Sequence, residues 1–226
     1  MDAAYDEIAD WYEGVFLTAG DPLGAQQVLR DLLGEGRGAC LEIGCGTGVH
    51  AAALRGLGWT PAGVDLSAGM LRHARDRLPA VRGDAAQLPV RDACLPAAVA
   101  VLAHTDMPDY PAVLREAARV LRPGGVLVHV GLHPCFCGGF ADRGDPEAVV
   151  IRPGYLDRHW TKESWTGEGV RAKVGASHWP VAELLNAFVA AGLTPERFAE
   201  SGGPVPAVLA VRARKLSSTL VHVQTY

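Results

Sequence analysis

Residues 41–48 read LEIGCGTG, an apolar run that carries Glu42 and then places glycines at 44, 46 and 48. Closely spaced glycines let a backbone turn tightly and approach a ligand where a Cβ would collide. Two chemistries fit the stretch. Gly46, Gly48 and Ala51 satisfy G-x-G-x-x-A, with Asp65 downstream at a distance suited to a ribose, which is the pattern of a dinucleotide site. Glu42, Gly44, Gly46 and Gly48 satisfy E-x-G-x-G-x-G instead, with a carboxylate that repels pyrophosphate and suits a ligand bearing an ammonium group.

A second set of residues could move protons, because a neutral imidazole accepts one near neutral pH. His104 and His133 each follow an apolar run, His178 precedes a helix-like segment, and His159 lies in a Gly/Pro-rich stretch. His129 falls inside a strand-like run and reads as structural. His50, His73 and His222 read as helix or tail surface. The five cysteines, at 40, 45, 94, 135 and 137, form no C-x-x-C pair or His/Cys quartet. The expectation is reduced thiols and no metal site.

The elements that must position these groups follow from periodicity. Short apolar runs at 39–44, 60–65, 80–84, 95–103 and 125–132 alternate with helix-length segments at 48–58, 68–78 and 110–121, the pattern of parallel βαβ units. Ser67 is placed to cap the second helix, and RPGG (122–125) stops the third. Residues 180–192 predict a further helix with Pro180 in its first turn and Gly192 at its end, followed by two late strands that could form an antiparallel hairpin. Residues 133–179 break the alternation and carry Tyr155, Trp160, Trp165 and Trp179. They read as a lid or insertion.

With 226 residues, 49% of them hydrophobic, the chain suits one α/β domain. A single domain over 1–213 is expected, with a helical cap at 1–30 and a tail at 214–226. A net charge of −4 and the lack of a basic stripe exclude a nucleic-acid or membrane-surface footprint. The acidic start lacks a signal-peptide pattern, so the expected location is the cytoplasm and the expected partner a small molecule.

Taken in order, LEIGCGTG, Asp65 in GVDLSAGML, Asp84 in RGDAAQLP and LREAARVLRPGGVLV (114–128) resemble the class I S-adenosylmethionine-dependent methyltransferases, in their small-molecule branch, over roughly residues 5–213. YDEIADWYEGVF resembles their N-terminal helix over the cofactor, and SHWPVAELLNAFVAAGL (177–193) resembles a helix start that borders the substrate. The resemblance implies a Rossmann-like, doubly wound, seven-stranded, mostly parallel sheet with an antiparallel last strand. It implies S-adenosyl-L-methionine as cofactor, held by Tyr12, Glu42, Gly44, Gly46, Gly48, Asp65, Leu66, Met70, Asp84 and Ala85. Within it Asp65 takes the ribose hydroxyls, Asp84 the adenine amino group, Leu66, Met70 and Leu88 the adenine ring, and Tyr12 the methionine portion.

The implied reaction is methyl transfer to an O or N atom of a small metabolite, in natural-product biosynthesis. The lid aromatics could hold an aromatic or cationic acceptor. The end of the fourth strand is where such enzymes bring the acceptor to the methyl group, which makes His104 the first candidate base, then His133 and His178. A base is optional for a displacement at a sulfonium. AHTD (103–106) lacks the Asn/Asp-Pro-Pro-aromatic element of enzymes acting on DNA bases. Two alternatives stay open: a nicotinamide-dependent oxidoreductase using G-x-G-x-x-A, and a relative of the fold that binds S-adenosylmethionine without moving its methyl.

Overall fold

The structure, a computed structural model, describes residues 3–145, 147–163 and 169–216. In chain order the elements are α1 (Ala9–Gly14), α2 (Ala25–Leu33), β1 (Gly38–Ile43), α3 (Ala51–Gly56), β2 (Trp59–Asp65), α4 (Ala68–Ala74), β3 (Ala80–Arg82), β4 (Leu95–Val101), α5 (Tyr110–Val120) and β5 (Leu121–Leu132). They continue with β6 (Ala141–Asp142), β7 (Val150–Ile151), β8 (Trp160–Thr161), α6 (Val170–Val174), β9 (Ala176–Ser177), α7 (Val181–Ala190), β10 (Leu193–Ser201) and β11 (Val208–Lys215).

Seven strands form one sheet in the order β10-β11-β5-β4-β1-β2-β3. The β1–β2, β1–β4, β2–β3 and β4–β5 pairs are parallel. Only β11 runs against its neighbours, pairing antiparallel with both β5 and β10. This is the expected mostly parallel, doubly wound α/β sheet. It places the strand order's reversal, and hence a ligand crevice, beside the end of β1.

Both faces of the sheet are covered, which is why its central strands read as unbroken apolar runs rather than alternations. In β4, Ala97, Val99 and Val101 pack with Val28, Leu29 and Leu32 of α2. Ala98 and Ala100 pack on the opposite face with Tyr110, Leu114 and Ala117 of α5 and Leu184 and Phe188 of α7. Two side-chain caps set where helices begin: Met70 N donates to Ser67 Oγ at 3.0 Å and Ala112 N to Asp109 Oδ1 at 3.0 Å.

One polar pair is sealed into this core. The Tyr110 hydroxyl lies 2.7 Å from His129 Nδ1, and both side chains are fully buried. Burial pushes the His129 imidazole down to about 3, so it stays neutral and can accept from the phenol. Tyr110→Phe is expected to destabilise the chain by about 1–3 kcal/mol, because it strands a buried nitrogen; urea unfolding measures it.

Several boundaries differ from the periodicity. The helix expected over 48–58 spans only Ala51–Gly56, because Gly48 adopts φ 77° in the preceding turn. The N-terminal segment splits into a 3₁₀ turn at Ala4–Asp6, α1, a second 3₁₀ turn at Phe16–Ala19 and α2. Of these, α2 packs beneath the sheet rather than over the crevice. Pro180 is the N-cap of α7 and not a residue of its first turn. The insertion is real secondary structure, two short antiparallel ladders (β6–β7 and β8–β9) around α6. Trp165 and residues 217–226 of the expected tail lie outside the described residues.

Candidate active site

A cavity of about 490 Å³ opens at the C-terminal ends of β1, β2 and β4, within the usual size range of ligand pockets. Its floor is the glycine loop. Gly44 N and Cys45 N both donate to Val64 O of β2, at 2.8 and 3.1 Å, so the loop is stitched to the neighbouring strand. Gly44, Gly46 and Gly48 have φ of 69°, 52° and 77°, a region costly to any residue with a Cβ. A Cβ at Gly44 would also meet Met107 Cε at 2.8 Å and Ala103 Cβ at 2.9 Å, and one at Gly48 would meet Leu78 Cδ2 at 2.4 Å.

Asp65, the last residue of β2, accepts from Gly46 N at 2.8 Å through Oδ2 and from Ser67 N at 2.8 Å through Oδ1. Burial raises its carboxyl pKa, and these two N–H donors oppose the rise. Each oxygen keeps a lone pair for a ligand hydroxyl. The Gly46 N–H, which a dinucleotide fingerprint would offer to pyrophosphate, is already given to Asp65.

Glu42 is buried on β1. His50 Nδ1 lies 2.7 Å from its Oε1, and Oε2 has no partner among the described residues. Such an orphaned buried oxygen calls for a donor. Glu42 itself does not line the cavity; His50 does.

Residues 3–19 strap the cavity through polar anchors. Asp6 Oδ1 accepts from Ser67 Oγ at 2.6 Å and Gly69 N at 2.8 Å, which holds its carboxyl below the usual range. Arg77 binds Glu13 and donates to Thr47 O at 2.8 Å. These contacts bring Tyr5 and Tyr12 to the cavity wall, where the Tyr5 hydroxyl donates to Asp106 Oδ2 at 3.0 Å. Burial first, then Asp106 and Asp65, push Tyr12 up to about 12. Trp160, Val174 and Gly175 reach the cavity from the 133–179 insertion.

Of the residues expected at the cofactor, Tyr12, Gly44, Gly46, Asp65, Leu66, Met70, Asp84 and Ala85 line this one cavity, whereas Glu42 and Gly48 lie behind it. The three candidate bases do not line it. His104 starts the turn that follows β4, but its ring lies on Gly131, where an added Cβ would meet His104 Nδ1 at 2.5 Å, and beside His129 at 4.9 Å between centroids. Burial drives its pKa well below the ordinary value. The turn His104–Asp106 aims its first side chain into the core and its third at the cavity.

His133 is held between Glu200 Oε1, 2.8 Å from Nε2, and Cys135 N, which donates to Nδ1 at 3.1 Å. His178 is buried against Phe140 and Tyr155, with Nε2 2.6 Å from Tyr155 O. Trp179 is a core residue with the Arg158 guanidinium 3.6 Å over its ring, and Tyr155 accepts from Val181 N at 2.8 Å. Strand-end position placed the histidines near the crevice in sequence, but ring packing on β5 took His104 elsewhere, and hydrogen-bonding partners in the insertion and β10 took His133 and His178.

Periodicity gave no signal for Asp106 or for the Glu42–His50 pair. Asp106 sits in the quoted AHTD stretch, where its direction depends on a 3₁₀ turn.

Residues 41–129 match the family model described as a methyltransferase domain. Over these residues the chain is similar to a methyltransferase domain, and its sheet has the fold of solved methyltransferases. A demethylmenaquinone methyltransferase of Mycolicibacterium paratuberculosis is 36% identical over 128 residues, 55% of this chain and 56% of that protein. The chain spans 37% of a phthiotriol/phenolphthiotriol dimycocerosates methyltransferase of Mycobacterium leprae and 56% of the demethylmenaquinone enzyme, a part of each relative's length. Two solved structures share the fold. One is an S-adenosylmethionine-dependent methyltransferase of Mesorhizobium loti, with TM-score 0.68 and 23% identity over 88% of this chain and 99% of that one. The other, from Thermotoga maritima, is described as a possible histamine N-methyltransferase, with TM-score 0.65 and 25% identity over 94% and 98% of the two chains.

S-adenosyl-L-methionine is the cofactor of this domain family, and the residues present fit it. The glycine loop offers close backbone approach, Asp65 offers two acceptor oxygens at a ribose position, and Leu66 and Met70 offer apolar surface. The orphaned Glu42 Oε2 lies behind the loop. Among the described residues no group of side chains could hold a metal ion, and no helix is long and apolar enough to cross a membrane.

Proposed function

We propose that this chain transfers a methyl group from S-adenosylmethionine to a nitrogen or oxygen atom of a small, cytoplasmic metabolite of natural-product type. The observation that carries the reading is the Asp65 carboxylate, held at the end of β2 by Gly46 N and Ser67 N and facing the cavity built on the glycine loop. When bound, the cofactor supplies a sulfonium-activated methyl carbon. The protein's share is alignment and exclusion of water. Asp65 and Asp84 fix the nucleoside end, the glycine loop and Tyr12 enclose the amino-acid end, and the strap with Trp160 roofs the cavity.

The names of similar proteins support a metabolite acceptor: demethylmenaquinone in the name of one relative, and a structural neighbour described as a possible histamine N-methyltransferase. His104, His133 and His178, outside the cavity lining, would shape the site rather than touch the acceptor in this reading. Incubation with S-adenosylmethionine and a metabolite extract should release S-adenosylhomocysteine only when the extract is present. A protein that binds the cofactor without moving its methyl would release none, and one built for nicotinamide would bind NADH in preference to S-adenosylhomocysteine.

A further inference from the structure

Four aspartates line the cavity, at 65, 84, 106 and 109, and among the described lining residues there is no lysine or arginine. Three of the four have backbone work. Asp65 holds Gly46 N and Ser67 N, Asp84 Oδ1 accepts from Ala86 N at 2.8 Å, and Asp109 caps α5. Asp106 differs. Its side chain is exposed to the cavity, and its hydrogen-bond donor among the described residues is the Tyr5 hydroxyl on Oδ2, which leaves Oδ1 turned loose at the end of β4. Trp160, more than half exposed, lines the same cavity with Tyr12.

Resting on the methyltransferase reading above, we propose that Asp106, oriented by Tyr5, is the acceptor-binding group of this site and that the acceptor is a small amine whose N–H is donated to Asp106 Oδ1. An acidic acceptor would meet the like charge of four lining aspartates with no lining lysine or arginine among the described residues. An ammonium gains a charge-assisted hydrogen bond and two aromatic walls. Before it can attack a methyl carbon, the nitrogen must give up a proton to expose its lone pair, and the Asp106 carboxylate takes that proton.

The surroundings suit this exchange. Desolvation by the enclosing cavity walls raises Asp106 to about 7, and the Tyr5 hydrogen bond and the Arg171 charge on α6 oppose the rise while Asp65 adds to it. Tyr12 faces it from the strap as an uncharged phenol at neutral pH. Because the folded value is raised, the carboxylate form that binds an ammonium grows as pH climbs through about 7 and disappears below it.

The test is calorimetric titration of the full chain with 2-phenylethylamine, 2-phenylethanol and 3-phenylpropanoate as probes, each with and without S-adenosylhomocysteine. The amine should bind at least about tenfold more tightly than the carboxylate, with affinity rising from pH 6 to 8. Asp106→Asn should remove that preference while S-adenosylhomocysteine affinity moves less than about threefold. Tyr5→Phe keeps the carboxylate and should shift the pH midpoint for amine binding upward. Equal binding of all three probes, or an amine preference that survives Asp106→Asn, would overturn the proposal. A separate titration in which wild type fails to bind S-adenosylhomocysteine would overturn the cofactor reading, with the amine preference judged on its own.

Discussion

Asp65→Ala is expected to weaken S-adenosylhomocysteine binding by about 100-fold or more, with the chain still folded. Two hydrogen bonds from ribose hydroxyls to a carboxylate are each worth about 1.5–3 kcal/mol, and a tenfold change in affinity corresponds to about 1.4 kcal/mol. The substitution also frees Gly46 N and Ser67 N, so the loop loses the anchor that fixes its approach to the ligand. Asp65→Asn should fall between the two, since an amide oxygen can still accept while the charge is lost. Calorimetry gives the affinities, and far-UV circular dichroism checks the fold. Affinity unchanged in Asp65→Ala would remove Asp65 from the site.

Gly44→Val is expected to cost about 2–5 kcal/mol of stability and most of the cofactor affinity. Two penalties add. The backbone lies at φ 69°, a left-handed conformation that costs an L side chain about 1–2 kcal/mol. Its Cβ would stand within 2.9 Å of Met107 Cε and Ala103 Cβ, and forced overpacking costs about 1–3 kcal/mol. Gly124→Ala separates the two. Gly124 has φ 77° and nothing within 4 Å of its Cβ position, so it should show the backbone penalty alone, near 1 kcal/mol. Urea midpoints at constant m-value read both variants. Equal losses would mean that crowding at the loop is not felt.

Much of the fold is legible in the sequence because burial on both faces turns β1, β2, β4 and β5 into near-continuous apolar runs separated by amphipathic helices. The late pair β10–β11 is also readable as two strands, and it pairs antiparallel although the link between Ser201 and Val208 is long and Pro-rich. Helix limits are less readable. The Gly48 turn delays α3, and Leu102 ends β4 at φ 53°, an uncommon conformation for leucine that no local pattern announces.

The part of the cavity lined by the glycine loop and the strand-end carboxylates was legible for a related reason. Loop glycines and strand-end carboxylates are fixed by the sheet, so their order in sequence maps directly onto their places around the cavity. The acceptor half depends on side-chain direction within a single 3₁₀ turn and on contacts from residues 3–19 and 133–179, which lie far away in sequence. His104 and Asp106 are two residues apart, yet one ring is driven into the core beside His129 while the other side chain meets Tyr5 at the cavity. Ordinary spacing rules for helices and strands do not reach that distinction. The same is true of His50, which reads as helix surface but closes on the buried Glu42.

Methyl transfer is tested most directly by incubating the pure chain with deuteromethyl S-adenosylmethionine and a metabolite extract, followed by mass spectrometry of the small molecules. The predicted result is a product that carries the intact CD3 group and is absent when Asp65→Ala replaces the wild-type chain. S-adenosylmethionine bound tightly by the wild-type chain, with no labelled product across amine-rich extracts, would contradict it.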